Sequence, residues 1–401
     1  MSTTSDPVRP GQDPVTNATV VASGLRPQEL PPLLDGTLSS AKEVLSLLEG
    51  RTSPIVEPGW ALFFWHGQAE AVELLRWIHA GVDRTAFVRV PQTDTWVLRI
   101  PVVDNGRFEY KFSIRQHGHE TWCLDPNNLN HAADPFGENS VCRTWGYAPP
   151  AWTEPQGAPR GRIEAITVPS KAFGSERRES IYLPNGHLGD TPLPLVIAHD
   201  GNDYDAYADL SISLDNLIAA GEIPPVAVVL IESPDRLGEY ARGRRHARYL
   251  VHDLLPAITR RYTISEKTED RILMGASLGA VASLSTAFRF PGVFGGLVLQ
   301  SGTFILNEGK LERRDHPVFR RTARLSKALE RAPDLPPTRA FVSTGELEGL
   351  AEDNAAIANV LREHGVDVLF KSAWDGHHWH NWRDQVRDGL IWVLRGNGAT
   401  S

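Results

Sequence analysis

Residues 271–288 read RILMGASLGAVASLSTAF: an apolar run, a Gly-x-Ser-x-Gly pentapeptide, and then small and apolar residues. The first four residues predict a buried strand and the run from Leu278 predicts a helix, so Ser277 lies in a sharp strand-to-helix turn. Gly275 and Gly279 fit such a turn because it leaves no room for side chains beside the serine. We interpret Ser277 as an exposed nucleophile rather than a helix cap, since a cap does not require glycine on both sides.

The chain around this turn alternates strands with helices. From residue 161 onward, short apolar runs alternate with amphipathic stretches, which predicts an α/β fold with a mainly parallel sheet covered on both faces. We predict strands at Ile163–Val168, Arg178–Leu183, Leu193–Ala198, Val226–Ile231, Arg271–Met274, Gly296–Gln300, Ala340–Ser343 and Val368–Ser372. We predict helices at Tyr207–Ala219, Arg245–Arg260, Leu278–Phe290, Pro317–Leu329, Asn354–His364 and Trp379–Leu394. No helix separates the first two strands, so we expect them to form an antiparallel edge pair.

The first part of the chain has a different pattern. Short β-type bursts separated by Gly, Pro, Asp and Asn predict a small antiparallel sandwich. The bursts are residues 61–65, 86–90, 95–100 and 108–112, and a short amphipathic helix is predicted over residues 39–49. We therefore predict a flexible tail at 1–26, an N-terminal β-sandwich domain at 27–148, a Pro-rich linker at 149–160 and an α/β domain at 161–397.

Charge and composition limit the partners. The 401 residues carry a net charge of −8, which argues against nucleic acid as a bulk electrostatic partner. Neither cysteine, Cys123 or Cys142, has the spacing of a metal or redox site, so we expect no metal and no cofactor. No apolar run is long enough to span a membrane, and no signal-peptide pattern is visible at the N-terminus. We therefore expect a cytoplasmic protein without a membrane partner.

A nucleophilic serine needs a base, and a histidine is expected late in the chain. Residues 375–380, Asp-Gly-His-His-Trp-His, follow the last predicted strand. We predict that His377, directly after glycine, is the base. Its neighbours are interpreted as exposed loop, helix-start or core residues: His378, His380, Trp379 and Trp382.

The acid is expected between serine and histidine in chain order. The loop after the strand at 340–343 reads Thr-Gly-Glu-Leu-Glu-Gly over residues 344–349. We prefer Glu348 as the acid and keep Glu346 as the alternative. Both could instead be solvated loop charges, as most glutamates are.

Backbone amides that could hold an oxyanion are predicted in two places. One is Leu278, at the start of the helix after Ser277. The other is the loop after the central strand, His-Asp-Gly-Asn-Asp-Tyr at 199–204, where Gly201 and Asn202 are the candidates. An ordinary Asp-Gly turn is the alternative interpretation of this loop.

A basic cluster follows the strand at 226–231, at the end of the sheet where α/β proteins build their sites. Its members are Arg236, Arg242, Arg244, Arg245 and Arg248. We predict that the first three contact an anionic substrate. A solvated helix face with salt bridges to residues such as Glu239 and Asp253 is the equally weighted alternative.

With these residues the chain resembles the enterochelin (enterobactin) esterase family of α/β-hydrolases. In the second half the resemblance lies in His-Asp-Gly at 199–201, Pro-Asp-Arg at 234–236, Glu-Tyr at 239–240, Asp-Leu-Leu-Pro at 253–256, the Ser277 turn, residues 345–348 and Gly-His at 376–377. In the first half it lies in Phe-Trp-His-Gly at 64–67, Phe-Glu-Tyr-Lys-Phe at 108–112 and Leu-Asp-Pro-Asn-Asn at 124–128. The resemblance implies an α/β-hydrolase domain preceded by an immunoglobulin-like, early-set β-sandwich.

The resemblance also implies a function: a cytoplasmic serine esterase that cleaves the ester bonds of an imported ferric catecholate siderophore and so helps release iron. Residues 375–378 read Asp-Gly-His-His where the family often has Gly-Gly-His-Asp, and Ala280 stands where it often has glycine. Neither change removes a catalytic atom, but both leave open a related esterase that acts on another siderophore or on a different ester. Two other functions stay open. One is an esterase acting on a carbohydrate-linked ester bound through Trp65, Trp96 and Trp122, and the other is a non-catalytic binding protein on a hydrolase scaffold.

Overall fold

The computed structural model describes residues 40–78, 81–187, 189, 191–306, 317–330 and 339–395. The predicted tail, residues 1–26, lies outside this part of the chain. Helix α1 (Ala41–Leu48) begins after Ser40, whose hydroxyl accepts from the Glu43 amide while the Glu43 carboxylate accepts from the Ser40 amide. This capping box fixes the start of the helix predicted over residues 39–49.

Ten strands in two antiparallel sheets follow α1. They are β1 (Ile55–Glu57), β2 (Trp60–His66), β3 (Ala71–Ile78), β4 (Gly81–Ala86), β5 (Val88–Arg89), β6 (Thr95–Pro101), β7 (Arg107–Gln116), β8 (His119–Cys123), β9 (His131–Asp134) and β10 (Gly137–Arg143). One sheet has the order β1-β2-β6-β5 and the other β4-β3-β7-β10-β9, with β8 also paired to β7. The sheets share an apolar core in which Phe63 of β2 packs against Phe108 and Tyr110 of β7. We call residues 40–143 the N-terminal unit; its immunoglobulin-like relationship remains a prediction, as do the domain boundaries.

Strand β3 was not predicted from the sequence. Its apolar residues are interrupted by Glu73 and Arg76, so it lacks a clear strand pattern. The structure shows that both charges pair with residues of the neighbouring strand β4: Arg84 donates to Glu73, and Arg76 donates to Asp83. Cross-strand ion pairs of this kind let a strand carry charged side chains among its apolar residues.

The second half of the chain forms an eight-stranded sheet. Its strands are β11 (Arg162–Ser170), β12 (Ser175–Leu183), β13 (Leu195–His199), β14 (Ala227–Ile231), β15 (Arg271–Ala276), β16 (Gly296–Gln300), β17 (Arg339–Gly345) and β18 (Asp367–Ala373). The order is β11-β12-β14-β13-β15-β16-β17-β18; the strands from β14 to β18 are parallel, and β11 and β12 form an antiparallel pair at the edge. All eight predicted strands and the edge pair are confirmed, and the arrangement is that of an α/β-hydrolase.

Helices cover both faces of this sheet. They are α2 (Gly201–Ala208), α3 (Leu210–Ala219), α4 (Arg236–Arg242), α5 (Arg244–Tyr249), α6 (Leu255–Arg261), α7 (Leu278–Arg289), α8 (Pro317–Glu330), α9 (Ala351–Glu363) and α10 (Trp379–Leu394). Residues of α5, α6, α7 and α9 enter the apolar core on one face, and residues of α2, α3 and α10 enter the core on the other. No helix in the described part of the chain has the length and apolarity needed to cross a membrane.

Two predicted helices differ from the structure. The helix predicted over residues 207–219 is α2 and α3, which Asp209 separates because its backbone has a positive φ of 49°. The helix predicted over residues 245–260 is interrupted by a π-helical segment, Leu250–Leu254, between α5 and α6. Helix α4 was not predicted, since it has only seven residues and includes Gly238.

Candidate active site

The turn at Ser277 has the geometry of a nucleophile elbow. Strand β15 ends at Ala276, Ser277 has φ 56° and ψ −120°, and α7 begins at the next residue. A positive φ on a residue with a side chain costs energy and is typical of functional sites. A Cβ on Gly275 would lie 2.5 Å from the carbonyl carbon of Gly279, and one on Gly279 would lie 3.0 Å from His199 Cβ. Gly275 is therefore required by close packing against the backbone of α7, whereas Gly279 relieves a tight contact with the His199 side chain.

Glu348 and His377 meet at the same edge of the sheet. Glu348 follows the end of β17, and His377 lies in the loop between β18 and α10. His377 Nδ1 is 2.7 Å from Glu348 Oε2. The carboxyl ends of parallel neighbours lie together, so residues far apart in sequence are brought into contact.

The Glu348 carboxylate is buried, with 4% of the residue exposed. Its Oε1 accepts hydrogen bonds from Ser301 Oγ and the Gly345 amide, each at 2.5 Å. Burial opposes ionisation of Glu348, but His377 and these hydrogen bonds outweigh burial and hold its pKa below the ordinary value. Glu346 instead is exposed and accepts from Ser372 Oγ at 3.0 Å. Of the two predicted acids, the structure brings Glu348 to His377.

The hydroxyl of Ser277 lies beside a second hydroxyl. Ser277 Oγ is 3.2 Å from Thr303 Oγ1, and the Thr303 amide donates to the Ser277 carbonyl at 3.2 Å. Both residues are described, and the structure has no hydrogen bond between Ser277 Oγ and His377. The His377 ring packs edge-on against Trp382, with ring centroids 5.1 Å apart. Thr303 belongs to the loop after β16, which also supplies Ser301.

The sequence did not single out Ser301 or Thr303. Only their position in the sequence could have indicated a role in the site. Residues 301–303, Ser-Gly-Thr, directly follow a predicted strand, at the edge of the sheet where α/β proteins build their sites. Trp382 donates to Ser301 Oγ at 2.9 Å, and Ser301 donates to Glu348. Trp382 is buried in the core, as predicted. Its indole also fixes the hydroxyl that holds the acid.

The candidate oxyanion amides lie at neighbouring helix starts. Leu278 is the first residue of α7, and Gly201 and Asn202 are the first two of α2. Amides in a first helical turn have no partner within the helix and are free to bind an anion. Strands β13 and β15, which lead into these helices, are parallel neighbours. The structure therefore brings the two predicted sets of donors to adjacent positions.

Close packing explains Gly201. A Cβ there would lie 2.4 Å from Leu230 Cα, so no side chain fits. Asp200, directly before it, has a positive φ of 53°, and the Asn202 side chain donates to the Glu232 carboxylate. These contacts hold the turn in one conformation.

One predicted substrate arginine lies at this site. Arg236 donates through Nε to Asp200 Oδ2 at 2.9 Å, and its Nη2 is 3.5 Å from the Ala276 carbonyl, just before the elbow. Arg244 is exposed at the start of α5. The side chain of Arg242 lies outside the described part of the chain. Arg245 instead donates to the carbonyls of residues 172 and 173, on the turn between β11 and β12.

The tryptophans considered for a carbohydrate substrate do not form one exposed platform. Trp96 is buried, and its indole donates to the Gly67 carbonyl. Trp122 is exposed, and the Arg84 guanidinium lies 5.6 Å from the centre of its ring. Trp65 is only partly exposed and packs against the core of the N-terminal unit.

Two histidines that the sequence did not single out are buried below the elbow. His199 Nε2 and His246 Nε2 are 3.0 Å apart, and His199 Nδ1 is 3.0 Å from the Met274 carbonyl oxygen. His246 Nδ1 has no hydrogen bond within the described residues. Burial lowers the pKa of His199 to about 4 and that of His246 well below its ordinary value. The pair is therefore neutral at physiological pH.

His378 requires a correction. It caps the start of α10, as the interpretation allowed, but it is not exposed. Its Nδ1 lies 3.3 Å from Glu109 of the N-terminal unit, which explains its burial. No cluster of three or more metal-ligating side chains occurs in the residues that the structure describes.

The chain is similar to several known proteins. Residues 170–393 match the family described as "Putative esterase". The iron(III) enterobactin esterase of Dickeya dadantii is 23% identical over 360 residues, which are 80% of this chain and 81% of that protein. Bacillus subtilis YjcH is 28% identical over 148 residues, 35% of this chain and 62% of YjcH, so this chain covers less than two thirds of that relative.

A solved structure is similar in fold. The ferric enterobactin esterase of Salmonella typhimurium superposes with a TM-score of 0.71 at 19% identity, covering 88% of this chain and 98% of that one. At this level of identity the likeness concerns the fold, and it includes both the N-terminal unit and the eight-stranded sheet.

Replacing Gly275 with alanine tests the elbow. The added Cβ would overlap the backbone of Gly279, so we expect Gly275→Ala to lower the free energy of unfolding by about 1–3 kcal/mol in urea titrations. The control is Gly81→Ala, because a Cβ at Gly81 meets no atom within 4 Å among the described residues and its φ lies outside the left-handed region. Equal stability of the two variants would contradict the tight crossing of β15 and α7.

The buried histidine pair predicts a pH-dependent stability. His199 and His246 have pKa values depressed by folding, so the unfolded chain binds more protons once the pH falls below about 6.5. Their contribution is complete above that pH and is lost as the pH falls, for His199 towards about 4. From about pH 7.5 to pH 5, we expect the free energy of unfolding to drop by about 2 kcal/mol through His199, with a further drop of the same sign through His246. His246→Gln should show a smaller drop, whereas the exposed-residue control His119→Gln should match the wild type; an unchanged drop in His246→Gln would contradict this origin.

Proposed function

Because the chain belongs to the esterase family described as "Putative esterase", we propose that it is a serine esterase with Ser277, His377 and Glu348 as its triad. The predicted resemblance to the enterochelin esterase family is confirmed by this match and by the enterobactin esterase among its relatives. The observation that carries the triad is the 2.7 Å contact between His377 Nδ1 and the buried Glu348 carboxylate, at the edge where Ser277 turns into α7.

Acylation begins when the Ser277 hydroxyl loses its proton to the base. The Ser277 hydroxyl turns from Thr303 towards His377 Nε2, which takes its proton while Oγ attacks the ester carbonyl. Glu348 accepts from Nδ1–H, so it fixes the tautomer and stabilises the imidazolium that forms. The low pKa of Glu348 supports this role, because the carboxylate has to stay ionised.

The first turns of α2 and α7 hold the developing charge. The amides of Leu278 and of Gly201 or Asn202 donate to the carbonyl oxygen as it becomes an oxyanion. His377 then gives its proton to the leaving alkoxide, and the bond between the acyl carbon and the alcohol oxygen breaks. Water, activated by the same imidazole, attacks the acyl-serine and releases the carboxylic acid.

The proposed substrate is a ferric catecholate siderophore with ester bonds, similar to enterobactin. Support comes from the relative of Dickeya dadantii, which carries the name iron(III) enterobactin esterase. Arg236, beside the elbow, and the exposed Arg244 would attract a complex of negative charge. Iron enters as part of the substrate, and the proposed site of action is the cytoplasm. The N-terminal unit is proposed to be an immunoglobulin-like domain, with boundaries at 27–148 and a linker at 149–160 before the catalytic domain at 161–397.

Labelling with a fluorophosphonate tests the triad. We expect wild-type protein to be modified at Ser277, the Ser277→Ala variant not at all, and Glu348→Gln about 10²–10⁴-fold more slowly, because the imidazole loses its orienting carboxylate. Intact-mass spectrometry over time measures each rate.

Glu346→Gln is the matched control for the acid. It changes the same side chain two residues away, where the carboxylate is exposed and does not contact His377. Its labelling rate should equal that of the wild type. Wild-type protein that resists the reagent would refute the triad, and a slow Glu346→Gln with a normal Glu348→Gln would reassign the acid.

Incubation with ferric enterobactin tests the substrate. Mass spectrometry should detect the linear trimer and smaller fragments with wild-type protein, and only intact trilactone with Ser277→Ala. A wild type that cleaves p-nitrophenyl acetate but leaves ferric enterobactin intact would keep the nucleophile and reject the siderophore. The next substrates would then be other siderophore esters and acylated carbohydrates.

A further inference from the structure

The loop that carries His377 is held by the N-terminal unit. This loop, residues 374–378, lies between β18 and α10. The Arg107 amide donates to the Trp374 carbonyl at 3.1 Å, and the rings of Phe108 and Trp374 meet edge-on at 5.8 Å. A Cβ on Gly106 would lie 2.6 Å from the Trp374 ring. Gly106 and the first two residues of β7, Arg107 and Phe108, therefore lie against the base loop.

Side chains of β7 also bind the loop. Arg107, with 2% of the residue exposed, donates through Nη1 to Asp375 Oδ2 at 2.7 Å and through Nη2 to Glu109 Oε1 at 2.8 Å. The second oxygen of Glu109 is 3.3 Å from His378 Nδ1. Asp375 and His378 enclose the dipeptide of Gly376 and His377, so both ends of the catalytic segment are held from the N-terminal unit.

Asp375 also connects the base loop with the acid loop. Its carbonyl accepts from the Leu347 amide at 3.0 Å, one residue before Glu348, and its Oδ1 accepts from the Gly376 amide at 2.7 Å. A Cβ on Gly345 would lie 2.3 Å from the Asp375 carbonyl oxygen, so the two loops are in close contact. A displacement of Asp375 would thus move both partners of the His377–Glu348 hydrogen bond.

Electrostatic interactions explain how Arg107 holds the loop of residues 374–378 in place. Arg107 is the guanidinium shared by two buried carboxylates, Asp375 and Glu109. Burial raises the pKa of Asp375, and Arg107 opposes that rise. Burial would also raise the pKa of Glu109, but His378 and Arg107 outweigh it and hold that pKa below its ordinary value. Removing one member of such a buried network leaves the others without a countercharge, and the segment that carries them relaxes.

We propose that Arg107 is a positioning residue for His377: its guanidinium holds Asp375, and through it the base loop, in register with Ser277. This role rests on the proposed triad. The N-terminal unit then takes part in the reaction by setting the geometry of the base, without touching the substrate's reacting atoms. Misplacement of a catalytic group by about 1 Å is enough to cost on the order of 10²-fold in rate.

The test uses full-length Arg107→Met, Arg107→Lys and Asp375→Asn proteins. We expect Arg107→Met to lower kcat for p-nitrophenyl acetate, and the fluorophosphonate labelling rate constant of Ser277, about 10²-fold, with KM changed less than about threefold. Arg107→Lys keeps one cation and should recover part of the rate. The Arg107→Met, Asp375→Asn double variant should be no slower than the slower single variant, because both changes break one interaction.

The labelling rate constant separates positioning from folding. A purely structural role would reduce the fraction of protein that can be labelled but leave the rate constant of the labelled fraction unchanged. The matched control is Arg89→Met, which removes another paired arginine of the N-terminal unit, bonded to Asp94 and located in the sheet that does not contain β7. Its kcat and labelling rate constant should equal those of the wild type.

Three outcomes overturn the proposal. If Arg107→Met is labelled as fast as the wild type and has the same kcat, the positioning role is refuted. The proposed triad is not affected by that result. If Arg107→Met does not fold, Arg107→Lys and Asp375→Asn decide, and wild-type rate constants in both refute the role. Wild-type protein that neither is labelled nor cleaves the aryl ester refutes the triad, and the positioning role with it.

Discussion

The backbone of Ser277 is the constraint on which the candidate site depends. A positive φ at that residue turns the chain from β15 into α7 within one residue, and this requires that two backbone segments cross almost in contact. Gly275 makes room for α7, and Gly279 makes room for the end of β13. The same crossing places the N-termini of α2 and α7 side by side. The serine, the amide donors and the central strands are thus positioned by one local conformation.

The acid depends on a different principle, the burial of a charge. Glu348 is almost without solvent contact, so its ionised form exists only because donors surround it. These donors come from three places in the chain: Ser301 after β16, the Gly345 amide at the end of β17, and His377 after β18. The Glu348 carboxylate therefore links the ends of three neighbouring strands. Its hydrogen bond with Nδ1 also fixes the orientation of the His377 imidazole.

The sequence predicted what local patterns determine. The parallel sheet was predictable because each strand is a short apolar run, and the elbow because glycines flank a serine between a strand and a helix. His377 and Glu348 were found from their order after Ser277 and their place behind strands. Other features depend on contacts between distant segments, which no local pattern records. Ser301 and Thr303 look like ordinary loop residues, His199 and His246 are 47 positions apart, and β3 is hidden by charges that are paired only across the sheet.

The contact between Arg107 and Asp375 has a consequence for how the protein is made. These residues are separated by 268 positions, the first in an early strand and the second close to the last helix. During synthesis the N-terminal unit leaves the ribosome long before β18 and α10 exist, and parallel strands add late because their contacts are non-local. The base loop can be clamped only when this final strand has joined the sheet edge. The contact between Arg107 and Asp375, and the proposed positioning of His377 that rests on it, can therefore form only after nearly the whole described chain has been synthesised.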